Sequence, residues 1–169
     1  MTTSYLKYIQ GIVFLLLLLS LPVTAFASSL YEAEQRIAEL INQQQPPDGI
    51  VFELISRDKK LLNSALPAIQ SYITRLKQAY PDLEISVVSH GPEMFALSKD
   101  SASTNSEAHK SVQGLVSSNI EVHVCGAYAE YKGISEDVFP EYVDVAPHGP
   151  ELIRDYLSLG YLHIKIVSE

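Results

Sequence analysis

Apolar positions along this chain recur with two periods, and the changes between them mark its elements. Between Leu30 and Gln45 they fall at Leu30, Ala33, Ile37, Leu40 and Ile41, the spacing of a helix with one apolar face. Pro46-Pro47-Asp48-Gly49 turns the chain. Ile50-Val51-Phe52-Glu53-Leu54-Ile55, β-branched and mostly apolar, reads as a buried strand. A second amphipathic stretch runs from Leu61 to Tyr80, with Pro67 starting or kinking it, and stops before Pro81. Leu83 to Ser89 is a second strand, ending at His90-Gly91-Pro92. The small, polar run from Ser98 to Ser106 predicts a mobile loop.

The pattern then repeats. A weak helix over Glu107 to Ser117 leads to a third strand at Ile120 to Val124, and a short helix or turn follows Cys125. Tyr142 to Val145 reads as a fourth strand. Pro147-His148-Gly149-Pro150 caps a helix from Glu151 to Leu159, which Gly160 ends before a last strand at Tyr161 to Ile166. Strand and helix alternate throughout, with connections long enough for crossovers. The expected fold is therefore α/β, a three-layer α/β/α arrangement around a mainly parallel sheet of about five strands.

The N-terminus changes the picture of where this fold works. Lys7, the apolar run from Ile12 to Leu21, Pro22 and the small-x-small site Ala25-Phe26-Ala27 have the order of a secretory signal peptide over residues 1–27. The expected organisation is that leader, an N-terminal helical extension over residues 28–48, and an α/β domain over residues 49–169. The remaining ~140 residues suit one core. Cleavage would leave no membrane segment and place the chain in the periplasm. Twenty acidic residues against twelve basic ones give a net charge of −8. No basic cluster exceeds Arg57-Asp58-Lys59-Lys60, which argues against nucleic acid and anionic lipid as partners. Neither a G-x-G-x-x-G nor a Walker-type glycine loop occurs, so no nucleotide cofactor is expected.

Candidate chemistry centres on Cys125, the only cysteine. It stands where a strand meets Gly126, the edge at which open parallel sheets bind ligands. A helix N-terminus behind it would favour the thiolate. In an oxidising compartment an odd cysteine is a reactive thiol or an intermolecular partner; otherwise it is a small buried hydrophobe. His90, at the end of the second strand, either stabilises that thiolate or caps its strand towards solvent. His123 shares a strand face with Cys125, which permits a metal reading with His90 as third ligand, though no Cys-x-x-Cys or His-x-x-x-His spacing supports one.

These segments together resemble the DsrE/DsrF-like (YchN-like) family, in particular its exported members. The resemblance rests on Val88-Ser89-His90-Gly91-Pro92, Val122-His123-Val124-Cys125-Gly126 and Gly133-Ile134-Ser135-Glu136-Asp137-Val138-Phe139-Pro140. Val145-Ala146-Pro147-His148-Gly149 and Leu159-Gly160-Tyr161-Leu162-His163-Ile164 complete it, over roughly Ile50 to Ile166. It implies the three-layer fold, a homo-oligomer (trimer or hexamer), and a strand-end cysteine that carries persulfide sulfur between donor and acceptor proteins. Cys125 is then the sulfur acceptor. From their places at the strand ends His90 is expected to act with it and Gly91, Gly126 and His123 to line the substrate, with no metal or cofactor. The alternative is a non-enzymatic oligomeric module that binds a small ligand or a metal.

Overall fold

The computed structural model describes residues 24–168. The expected signal peptide lies outside them except for its last four residues, whose backbone forms the first turn of α1. The strands are β1 (Gly49–Ser56), β2 (Glu84–Ser89), β3 (Glu121–Cys125), β4 (Asp144–Ala146) and β5 (Leu162–Ser168). The helices are α1 (Thr24–Leu40), α2 (Leu61–Ala79), α3 (Ser106–Ser117), α4 (Gly126–Tyr131) and α5 (Gly149–Ser158). The sheet runs β4-β3-β2-β1-β5, every pairing is parallel, and helices cover both faces. This is the α/β/α architecture that the alternation of patterns predicts.

The two faces differ in character. Ile50, Phe52, Leu54, Ile85, Val87, Val122, Val124, Ile164 and Ile166 meet α1–α3 in the main core. On the other face only Val51, Val88 and Ile153 of α5 form a small apolar cluster, packed by Tyr156 and Tyr161. Strand alternation puts Glu53, His163 and Lys165 on this thinner side, next to Val51.

α1 is an integral part of the first layer. Ala33, Ile37 and Leu40 are buried, Ser29 Oγ donates to the Val167 carbonyl at 3.1 Å, and α2 pins the helix through Tyr72, Arg75 and Tyr80. The Tyr80 hydroxyl reaches the carbonyls of Leu40 and Gln43, both at 2.8 Å, so α1 stops at Leu40 and residues 41–45 form turns rather than a further helical turn. Pro67 lies inside α2 and gives up the N–H that would bond back to Asn63. The fourth strand shrinks to three residues and begins at Asp144, because Tyr142 leaves the sheet to bond His109. The Ser98–Ser106 segment contains a 3-10 turn at Lys99–Ser101, closed by Ser101 Oγ on the carbonyls of Ala96 and Ser98.

Candidate functional site

The ends of β1, β2, β3 and β5 meet at one edge of the sheet, and the candidate residues are distributed along it. Cys125 is the last residue of β3 and also the N-cap of α4, in extended backbone. Its Sγ accepts the N–H of Gly149, the first residue of α5, at 3.3 Å. That N–H is one of the donors a helix start leaves unpaired, and such donors favour negative charge. Cys125 is only 4% exposed, with the start of α5 among the segments packed against it.

His90 follows β2 directly, and Ser89 is in register with Val124, which sets His90 beside Cys125. A Cβ placed on Gly149 would lie 2.9 Å from the His90 Cβ and 3.2 Å from the Cys125 Cβ. The start of α5 thus rests directly on both candidate residues. Yet the His90 ring neither faces solvent nor has Cys125 as its hydrogen-bond partner. Its Nε2 lies 2.8 Å from Glu53 Oε1, with the side chain 11% exposed.

Glu53 is a charged group beside the candidate residues that sequence reading missed. This buried carboxylate also has His163 Nε2 at 2.5 Å and Lys165 Nζ at 3.2 Å. Burial alone pushes its carboxyl up, but hydrogen bonds from His90 and Lys165 and their charges outweigh that and hold it at about 2. An ionised carboxylate only accepts, so His90 Nε2 donates to it. In the neutral ring Nδ1 is then the basic nitrogen. The available signal was a lone carboxylate in the apolar run Val51-Phe52-Glu53-Leu54.

A second missed carboxylate ties the edge together. Glu93 is fully buried and accepts from Ser56 N at 2.7 Å, Ser89 Oγ at 2.8 Å and Gly91 N at 2.9 Å. It joins the ends of β1 and β2, and a side chain at Gly91 would run into it. Gly126 is likewise close-packed, since a side chain there would meet Glu136.

His123 faces a different neighbourhood. Its Nε2 lies 3.4 Å from both the Tyr156 hydroxyl and Glu121 Oε2, one pleat back from the edge. Among the described residues no group of three or more His, Cys, Asp or Glu is placed to hold a metal ion. His109 is structural: its Nε2 bonds the Ala96 carbonyl at 3.0 Å, and Nδ1 meets the Tyr142 hydroxyl at 2.5 Å.

Beside His90 a cleft of about 600 Å³ opens at the ends of β1, β2 and β5. Gly91, Arg57, Lys165 and Tyr128 are in its wall. A neighbouring cleft of about 510 Å³ shares Pro92 and Tyr128.

Fold and edge together define a three-layer α/β protein with a closed thiol and a polar cleft at the strand ends. No family model matches the chain, and none of the curated proteins matches it. Among solved structures it is similar to MTH1491, a protein of unknown function from Methanobacterium thermoautotrophicum. The TM-score is 0.57 at 22% identity, over 69% of this chain and 96% of the other. A conserved protein of unknown function from Bacteroides thetaiotaomicron, BT1422, aligns with a TM-score of 0.47 at 12% identity, over 69% and 94% of the two chains. The first likeness supports the fold alone.

Proposed function

We propose that this chain is a DsrE/DsrF-like thiol protein of sulfur metabolism, binding or relaying sulfane sulfur as a persulfide on Cys125. In this reading it is exported to the periplasm, works as a trimer or hexamer, and passes sulfur from a donor to an acceptor protein. The observation that carries the reading is the hydrogen bond from Gly149 N–H to Cys125 Sγ at the sheet edge. It puts a helix-start donor on the sulfur that bears the thiolate charge before it attacks and again once the persulfide sulfur has been passed on.

With thiosulfate as donor the step balances without a further reactant. The Cys125 thiol gives its proton to His90 Nδ1 or to water, and the thiolate attacks the sulfane sulfur. The new S–S bond forms as the old one breaks, and sulfite leaves with the electron pair. The protein keeps a persulfide whose charge lies on the outer sulfur, and in this reading His90, next to Cys125, supports that charge. Glu53 contributes by holding His90 through Nε2.

The test is the intact mass of the protein after incubation with thiosulfate or polysulfide, wild type beside Cys125→Ser. A gain of one sulfur mass, reversed by reductant and absent from the variant, is the expected outcome. No gain in the wild type, or an equal gain in the variant, removes Cys125 as the acceptor.

A further inference from the structure

The cleft beside His90 carries more than the thiol chemistry uses. It lies outside the carboxyl ends of β1, β2 and β5, where the strand order reverses: β2, β3 and β4 lie to one side of β1 and β5 to the other. Crevices at such a reversal are where open parallel sheets bind ligands. Its volume, about 600 Å³, is that of a pocket for an organic molecule rather than a lone inorganic ion.

Cations outnumber carboxylates around it. Arg36, Arg75, Lys110 and Arg154 are each matched to a carboxylate elsewhere, whereas Lys60, Lys77 and Lys99 form no ion pair among the described residues. Among the described residues Arg57 at this cleft and Lys59 at its neighbour form no ion pair, and Lys132 lies over the rings of Tyr128 and Tyr131. Among the described residues Asp100 is the only carboxylate in the walls of the two clefts. Glu53 does not oppose an anion there, because it is buried and already met by Lys165, His90 and His163. Positive charge therefore gathers at one edge of a chain whose net charge is −8. Ile55, Val167, Pro92 and the Tyr128 ring give the wall an apolar part, beside the polar Ser56, His90 and Ser168.

From this juxtaposition we infer that the cleft binds a small organic anion. Arg57 and Lys165 receive its carboxylate or sulfonate, and its apolar body lies against Ile55, Val167 and Tyr128. Arg57 supplies a planar pair of N–H donors suited to such a group. Lys165, held by Glu53, supplies a charge already fixed in place. The inference is independent of sulfur transfer, since none of these contacts involves Cys125.

The experiment is a titration of the labelled protein with benzoate, followed by amide NMR, with benzamide as the uncharged counterpart. Benzoate is expected to shift the Arg57, Gly91 and Val167 amides saturably, and less strongly as salt is raised. Arg57→Gln and Lys165→Gln should each weaken it about tenfold, the effect of losing one charge-assisted hydrogen bond. Benzamide should leave those signals in place. Shifts that are absent, equal with benzamide, or unchanged in Arg57→Gln overturn the inference. Arg57 is exposed and unpaired, so that variant reads binding and not folding.

Discussion

A carboxylate buried in a parallel sheet is costly unless donors surround it, and removing its charge leaves those donors behind. Glu53 is in that position, with two imidazoles and an ammonium around it. Its carboxyl is lowered from 4.5 to about 2. A depressed carboxyl binds its proton more weakly in the folded state. Its contribution is therefore complete above pH 4.5 and is lost as pH falls from there towards 2. Glu53→Gln should lower stability near neutral pH by about 1–3 kcal/mol, and the gap to wild type should narrow at about pH 3. Urea denaturation at the two pH values measures it. A gap undiminished at about pH 3 would assign the loss to shape rather than charge. The sequence marked Glu53 as polar among apolar neighbours, but its partners stand 37, 110 and 112 positions away, where no local pattern links them.

Helix α5 governs the thiol through its first residue. Gly149 has no room for a side chain: a Cβ would press on the Cβ atoms of His90 and Cys125 and approach Val88 Cγ1 at 3.5 Å. None of these is the yielding end of a flexible chain, so Gly149→Ala must push the helix start outward. The expected cost is about 1–3 kcal/mol, together with faster maleimide labelling of Cys125 in the folded protein. Unfolding in urea and the labelling rate measure the two effects. Unchanged labelling would show that the α5 entry is not what shields Sγ. The element itself was legible, since Pro147 to Pro150 announces a cap and Gly160 a stop. The observed helix begins at Gly149 rather than Glu151. What the glycine is for was not legible, because close approach depends on what β2 and β3 place beneath it. The same holds for Glu93, whose donors come from two strands and the turn between β2 and the following 3-10 helix.

Alternation of helix and strand patterns was enough to anticipate the layered α/β sheet, because crossovers between parallel strands need helix-length connections. Strand order was beyond it: nothing in Leu162-His163-Ile164 says that the last strand lies beside the first. That pairing decides most about this molecule. It brings His163 and Lys165 to Glu53, opens the cleft between the ends of β1 and β5, and gives α1 a strand to pack on through Ser29 and Val167. The helical pattern near Leu30 left open whether that helix packs within its own chain or on a neighbour. Here its apolar stripe closes the core of its own chain, with Leu40 and Ile37 fully buried. Leu40→Ala should therefore cost about 2–5 kcal/mol. An intramolecular contact stabilises the chain equally at every protein concentration, whereas a helix exchanged between subunits adds a mass-action term. The loss measured in urea should thus be the same at low and high protein concentration. If it grows on dilution, α1 completes the core of a neighbouring subunit, and the assembly rather than the single chain is the folding unit.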